Sequence, residues 1–232
     1  MSFASSEFWI ALLQIIMINI VLSGDNAVVI ALASRSLPPQ QQKKAIIFGS
    51  VGAIVLRLVL TFFAVMLLSQ PYLKLVGAAL LLWIGVGLLK GDEGEGDMAA
   101  HSNLAAAIKT IIVADLVMSL DNVIGVAAAA KGNVTLLVLG LVISIPLIIY
   151  GSTMILKLMG RFPVIITIGA GLLGWVAGEM AVSDPAVSGW MAGHNLIHLM
   201  APGVGAVMVV ATGKWLLARS TQAREESPQA VG

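Results

Sequence analysis

The chain has 232 residues and a formal net charge of +1; 59% of its residues are hydrophobic and only 11% are charged. Its mean hydropathy of +0.99 excludes an ordinary soluble domain, since such domains are about 45–50% apolar and about 25% charged. We therefore expect an integral membrane protein, because lipid is the solvent that so apolar a surface tolerates. The absence of cysteine excludes a disulfide framework, a thiolate metal site and a thiol nucleophile.

Seven apolar segments are long enough, or nearly so, to cross a bilayer as helices, which takes about 20 residues each. Proline, glycine and charged residues separate them. The sequence thus predicts an all-α membrane protein with seven transmembrane helices in a single domain over residues 1–218, followed by a disordered cytoplasmic tail over 219–232. The predicted spans are 8–33, 43–68, 72–90, 103–130, 134–158, 162–180 and 198–218.

Basic residues collect on one side of this predicted bundle, and the side richer in lysine and arginine is normally cytoplasmic. Only Lys74 and Lys131 fall on the opposite side. We expect a multi-pass protein of the cell membrane with its N-terminus outside and its C-terminus in the cytoplasm. The residues on the basic side are Arg35, Lys43, Lys44, Lys90, Lys109, Lys157, Arg161, Lys214, Arg219 and Arg224.

The chain also contains an internal repeat. The stretch VLSGDNAVVI, residues 21–30, matches VMSLDNVIGV, residues 117–126, at an offset of 96 residues. Each copy holds three spans, and because three is odd, the second copy enters the membrane from the opposite side. We therefore predict two inverted three-helix repeats, about 8–90 and 103–180, plus a seventh helix, with a substrate site near the midplane. At an offset of 92 residues, Pro71, Gly77 and Trp83 match Pro163, Gly169 and Trp175.

Three aspartates, Asp25, Asp115 and Asp121, lie inside apolar spans. Each such carboxylate costs about 2.5–3.5 kcal/mol on insertion scales, so we interpret these residues as functional rather than as helix packing. Asp25 and Asp121 are equivalent in the repeat and both precede an asparagine. Asp115 has no acidic counterpart, because Asn19 occupies the equivalent position.

The spacing of the neighbouring polar residues predicts a shared face. Asn19, Ser23 and Asn26 are spaced at i, i+4 and i+7, and the same spacing recurs for Asp115, Ser119 and Asn122. The run from Ser23 to Asn26 is poor helix material, since glycine alone costs about 1 kcal/mol. We therefore expect the first span to unwind near Gly24, and a milder break in the second copy, where Leu120 replaces the glycine.

Carboxylate, amide, hydroxyl and carbonyl groups are hard oxygen ligands that suit Mg²⁺, Ca²⁺ or Mn²⁺. Arg57, in the middle of the second span, is predicted to compensate the carboxylates or to hold the empty site together. Polar groups at the outer face are interpreted as interfacial, with a secondary metal or proton site as the alternative; they are Glu179, Asp184, His194 and His198. The predicted metal-binding residues are Asp25, Asn26, Asp115, Asp121, Asn122, Asn19, Ser23 and Ser119.

On its two Ser-x-Asp-Asn motifs, its span count and its seventh helix, the chain resembles the TerC family of membrane proteins, within the LysE-type transporter superfamily. The stretch from Ser23 through Lys90 looks like the YjbE-type branch of that family. The resemblance implies metal-ion efflux, with Mn²⁺ as the principal substrate of the branch. It also implies that the ion is bound by Asp25, Asn26, Asp115, Asp121 and Asn122. The residues by themselves leave Mn²⁺, Mg²⁺ and Ca²⁺ open.

We therefore expect a secondary exporter whose partners are a divalent cation and the lipid bilayer, with no nucleic acid, no cofactor and no enzymatic activity. No P-loop motif is present, so ATP is not the expected driver, and proton exchange is the natural coupling. An intramembrane aspartyl protease is disfavoured by its missing motifs. An amino-acid exporter and a non-transporting scaffold for metal or tellurite resistance stay open, as does homo-oligomerisation.

Overall fold

The computed structural model describes residues 6–68, 70–90, 100–130, 133–191 and 194–225. Those ranges are helical and contain no strand, which confirms the all-α prediction for the part of the chain described. The acidic run 91–97 lies outside it. The helices are α1 (Ser6–Leu22), α2 (Gly24–Ser34), α3 (Pro39–Leu68), α4 (Leu73–Lys90), α5 (Ala100–Ala130), α6 (Val134–Arg161), α7 (Val164–Val182), α8 (Pro185–Met191) and α9 (Asn195–Glu225).

Five of these helices are long and apolar enough to cross a membrane: α3 over Pro39–Phe63, α4, α6, α7, and α9 over Leu196–Arg219. Helices α1 and α2 pass the same test only together, as a bent pair that makes a sixth candidate span. Large apolar side chains face outward, as Trp83 does with 75% exposure, and lipid is the environment that accommodates them. The described residues therefore give five to six candidate spans where the sequence predicts seven, because α5 is not among them.

The predicted interruption of the first apolar segment is confirmed. Ser23 lies between α1 and α2 with φ −110° and ψ 4°, and the two helices meet at an angle of 49°. Gly24 is already the first residue of α2, so the break falls one residue before the position we expected. In the second copy α5 runs without interruption through Leu120 and Asp121. Leucine is a good helix former and glycine a poor one, which accounts for the difference between the copies.

Two isoleucines that the sequence repeat relates each cover a glycine of another helix, although the two glycines lie one residue out of register with the 92-residue offset. Helix α3 packs along α5, while α6 packs along α1 and α2. In the first contact Ile111 covers Gly49, where an added Cβ would lie 2.7 Å from the isoleucine Cδ1. In the second, Ile15 covers Gly140 so closely that no Cβ fits. Ile15 and Ile111 are separated by the same 96 residues as the Asp-Asn motifs, and the two glycines by 91.

Helix α9 lies outside the repeat and packs on α7 and α4. Its contact with α7 depends on glycine, because a Cβ on Gly174 would collide with the backbone carbonyl of Gly205. A Cβ on Gly178 would collide in the same way with the carbonyl of Ala201. Such small residues let two helix backbones approach closely, which is the main source of packing between helices in lipid. The α7–α9 contact fixes the last long helix against the body of the protein.

The ends of the predicted elements need two corrections. Helix α9 continues to Glu225, so the stretch 219–225 that we expected to belong to a disordered tail is helical. The helix can continue because this stretch contains good helix formers, namely Gln222, Ala223 and Arg224. Residues 226–232 lie outside the described part. The connection after α7 contains a short helix, α8. Its 7 residues are too few to show a helical pattern in the sequence.

Candidate metal-binding site

The predicted site residues of the first copy surround the α1–α2 break. Asn19, Ser23 and Asn26 are buried, with 1%, 3% and 2% of their surfaces exposed. On the facing helix α5, Asp115 and Ser119 are buried as well, and α3 contributes Arg57, which is 1% exposed. The structure therefore gathers polar groups from three separate parts of the chain inside an apolar bundle.

Arg57 is the centre of this group. Its Nη2 donates to Oδ1 of Asp115 at 2.6 Å, its Nε to Oγ of Ser119 at 2.9 Å, and its Nη1 to Oγ of Ser23 at 3.1 Å. The hydroxyl of Ser119 in turn donates to Oδ2 of Asp115 at 3.1 Å. A buried arginine is tolerable only when its charge is paired and its donors are used, and both conditions are met here. The prediction of Arg57 as a counter-ion is consistent with this geometry.

Asp25 is placed differently. It is half-buried in the first turn of α2, and its Oδ1 accepts a hydrogen bond from the backbone N–H of Asn26 at 2.8 Å. The positive end of the α2 dipole favours a carboxylate at this position. Among the described residues the ion pair Arg57–Asp115 is the one present, so Asp25 has no such cationic partner there. It lies within electrostatic range of both Arg57 and Asp115.

Two buried amides complete the first-copy side of the site. The side-chain oxygen and nitrogen of both Asn19 and Asn26 have no hydrogen-bond partner in the described part of the chain. Buried polar groups are nearly always hydrogen-bonded, so four such atoms on the two sides of the α1–α2 break require an explanation. An amide oxygen is a ligand for hard cations, and coordination of an ion would satisfy it.

The second-copy motif is only partly visible. Nδ2 of Asn122 donates to the carbonyl of Leu22 at 3.2 Å, which ties α5 to the last residue of α1. Asp121 belongs to α5, but its side chain lies outside the described part, so its approach to Asp25 stays a prediction. Among the described side chains, no three acidic, imidazole or thiol groups lie close enough together to hold a metal ion.

In the described part of the chain, the polar residues that we predicted at the outer face do not form one cluster. Glu179, His194 and His198 are exposed, and His194 stacks on Trp190 with 4.8 Å between ring centroids. Asp184 instead is fully buried, in the turn between α7 and α8. The sequence signal that could have identified it is its position directly before Pro185, which is typical of a helix cap.

The carboxylate of Asp184 accepts hydrogen bonds from four backbone N–H groups, which belong to two separate segments of the chain. Oδ1 receives those of Tyr72 and Ala186 at 2.9 and 2.7 Å, and Oδ2 those of Lys74 and Leu75 at 3.0 and 3.1 Å. Burial alone would raise the pKa of Asp184, but these hydrogen bonds outweigh it and hold the pKa below its ordinary value of 3.8. Asp184 therefore fixes the start of α4 against α8.

A cavity of about 750 Å³ lies away from these aspartates, at the ends of α2, α4 and α6. The charged side chains that line it in the described part of the chain are Arg35, Lys90 and Lys157, and no carboxylate lines it there. None of the predicted metal-binding residues whose side chains are described lines this cavity, so it is separate from the predicted metal site. The sequence had marked these three residues only as part of the basic side.

Comparison with known proteins agrees with the motif. The model of the integral membrane protein TerC family matches residues 4–221. This chain belongs to the TerC family. Within it, the chain is 43% identical over 204 residues to the uncharacterized membrane protein YjbE of Bacillus subtilis, covering 88% of this chain and 94% of that protein. No solved structure matches it.

The chain also has more distant relatives. The uncharacterized membrane protein YkoY of Bacillus subtilis is 26% identical over 196 residues, which cover 76% of this chain and 60% of that protein. The inner membrane protein YgdQ of Escherichia coli is 26% identical over 174 residues, covering 67% and 73%. These matches and the apolar helices identify an integral membrane protein, and the predicted resemblance to the TerC family is confirmed.

Proposed function

We propose that this TerC-family protein is a secondary transporter that exports divalent metal cations, with Mn²⁺ as its principal substrate. The observation that carries the proposal is the pair of buried asparagines, Asn19 and Asn26, whose amide atoms have no hydrogen-bond partner in the described residues. They lie on the two sides of the α1–α2 break, and the half-buried Asp25 directly precedes Asn26. Together with Asp115 across the bundle, they offer oxygen ligands alone, and hard divalent cations prefer such a set.

The formal charge of the proposed site matches such a cargo. Asp25, Asp115 and Asp121 contribute three negative charges and Arg57 one positive charge, which leaves a charge of −2. A divalent cation neutralises this charge, and a neutral site is the least costly one to carry through a low-dielectric membrane interior. A substrate amino acid would bring its own carboxylate toward three acidic groups, so we place the amino-acid exporter second.

The proposed architecture is seven spans, built from two inverted three-helix repeats and α9. In this arrangement α1 and α2 form one broken span that corresponds to α5, while α3 corresponds to α6 and α4 to α7. The equivalent contacts of Ile15 with Gly140 and of Ile111 with Gly49 support the correspondence, because they relate α1–α6 to α5–α3. A broken helix at the junction of two inverted repeats is the usual position of an ion site in transporters.

In the proposed orientation the N-terminus is outside the cell membrane and the basic side is cytoplasmic. Export would then begin at the basic side and end at the side of Asp184. Proton exchange is the proposed coupling, because a carboxylate that releases a metal ion can accept a proton. No catalytic step is part of the proposal.

The proposal is tested by metal flux into proteoliposomes, with Mn²⁺, Mg²⁺, Ca²⁺, Zn²⁺ and Fe²⁺ compared in the presence and absence of a pH gradient. Wild type should move Mn²⁺, and Asp25→Asn and Asp121→Asn should abolish transport. Glu179→Gln is the matched control, since it removes an exposed carboxylate of α7 that lies outside the site. Absence of divalent transport by wild type, or normal transport by Asp25→Asn, would show the proposal to be wrong.

A further inference from the structure

The hydrogen bonds of Arg57 engage three of the side chains that we predicted as metal ligands. Its guanidinium binds the carboxylate of Asp115 and the hydroxyl groups of Ser23 and Ser119. The second oxygen of Asp115 accepts the hydroxyl of Ser119. Both carboxylate oxygens are thus engaged, and the nearest positive charge is 2.6 Å from one of them.

A guanidinium and a divalent cation cannot share one carboxylate at low cost. Both would lie within a few ångströms of each other, and like charges at that distance repel strongly where little water screens them. Arg57 is 1% exposed, so water does not screen its charge here. Asp25, in contrast, has no ion-pair partner among the described residues and is open to a cation.

We propose that Arg57 is a built-in competitor of the transported cation for Asp115. The inference rests on the proposed function and adds how the affinity of the same site for the cation is controlled. A cation binds first to Asp25 and the neighbouring amides, and it reaches Asp115 only when the guanidinium gives up its ion pair. When the cation leaves, Arg57 returns to Asp115, so the carboxylate is never left buried and unpaired. Competition of this kind lowers the affinity and thereby aids release.

The test is equilibrium binding of Mn²⁺ to purified wild type, Arg57→Gln and Arg57→Lys at one pH. Removing the competitor should tighten binding by about 5–150-fold in Arg57→Gln, the usual range for coupling between two ligands. Arg57→Lys keeps the charge and should stay close to wild type. Equal or weaker binding by Arg57→Gln would overturn the inference. If wild type bound no divalent cation, the proposed function itself would fail, and the wild-type titration shows this separately.

A second measurement uses only wild type for its readout and does not depend on how Arg57→Gln folds. The method is NMR of protein labelled with ¹⁵N-arginine, in which the five arginines each give one side-chain Nε–H signal. The signal of Arg57 is identified as the one that is missing from the spectrum of Arg57→Lys. Saturation with diamagnetic Ca²⁺ should shift this signal and speed its exchange with water, because a guanidinium that leaves Asp115 also leaves Ser119, which is hydrogen-bonded to the same carboxylate. A signal that stays unchanged in a sample shown to bind Ca²⁺ would overturn the inference.

Discussion

Ile15 and Ile111 lie 96 residues apart and make the same contact in two different helix pairs. Each isoleucine covers a glycine of another helix, Gly140 in α6 for Ile15 and Gly49 in α3 for Ile111. The exchange of partners is what a two-fold relation between two copies of one unit produces. The repeat seen in the sequence is thus also seen in the helix contacts. This supports the proposed placement of the two Asp-Asn motifs on facing elements.

The first prediction concerns this contact. Gly140→Ala should destabilise the protein by about 1–3 kcal/mol, because the added methyl group overlaps Ile15. Since the obstacle is a side chain, Ile15→Ala should relieve it, and the double variant should lose less stability than the two single losses summed. Thermal unfolding in detergent measures all four proteins. If the stability losses of the two single variants simply add in the double variant, the added methyl group does not clash with Ile15.

The same comparison has a control in the other copy. Gly49→Ala and Ile111→Ala should show the same sign of coupling, since a Cβ on Gly49 would lie 2.7 Å from Ile111. Gly24→Ala has nothing within 4 Å of the added atom and should be tolerated. Coupling in one copy and none in the other would contradict the equivalence of the two contacts.

The second prediction concerns the ion pair. Asp115→Asn leaves the charge of Arg57 buried without its partner and should cost about 3–5 kcal/mol of unfolding free energy. Replacing both residues, as Arg57→Met with Asp115→Leu, should cost much less than the single change, because no unpaired charge is left. Thermal unfolding in detergent again provides the measurement. A double variant as unstable as Asp115→Asn would show that the loss arises from packing and not from charge.

The third prediction concerns Asp184. An asparagine has one acceptor oxygen where the carboxylate has two, so Asp184→Asn loses two of the four backbone bonds whichever way its amide faces. Hydrogen bonds to charged groups contribute about 1.5–3 kcal/mol each, so the variant should unfold well below wild type at neutral pH. Glu179→Gln is the control and should not change stability.

The pH dependence of this difference follows from the lowered pKa of Asp184. Because the folded pKa lies below the ordinary 3.8, the carboxylate stabilises the fold fully above that value and less as pH falls through the folded pKa. The gap between wild type and Asp184→Asn should therefore be constant near neutrality and shrink below about pH 4. A gap that widened in acid would contradict the assignment of Asp184 as a charged helix cap.

Much of the fold could be predicted from the sequence. Every predicted apolar segment corresponds to a long helix or to the bent α1–α2 pair, and the break at Ser23 falls within one residue of its predicted position. Helix α8 was missed because 7 residues carry too little periodicity, and the helical stretch up to Glu225 because a polar helix outside the membrane has no apolar pattern.

The candidate residues of the site could be named from the sequence, but their hydrogen bonds could not. Helical spacing predicted one face for Asn19, Ser23 and Asn26, but the break at Ser23 puts Asn19 in α1 and Asn26 in α2. The bonds from Arg57 to Ser23, Asp115 and Ser119 span 34, 58 and 62 residues, so only the packing of α3 against α2 and α5 determines them. Asp184 is a similar case, because its partners Tyr72 and Lys74 lie about 110 residues earlier in the chain.

The most direct measurement of the central claim is Mn²⁺ binding to the purified protein by titration calorimetry, with Mg²⁺, Ca²⁺ and K⁺ as competitors. We predict one Mn²⁺ bound per chain, competition by divalent ions but not by K⁺, and affinity weakened by about 10-fold or more in Asp25→Asn. Glu179→Gln should bind as wild type does. If wild type binds no Mn²⁺, or Asp25→Asn binds it equally well, the account of a divalent-cation site at the α1–α2 break is contradicted.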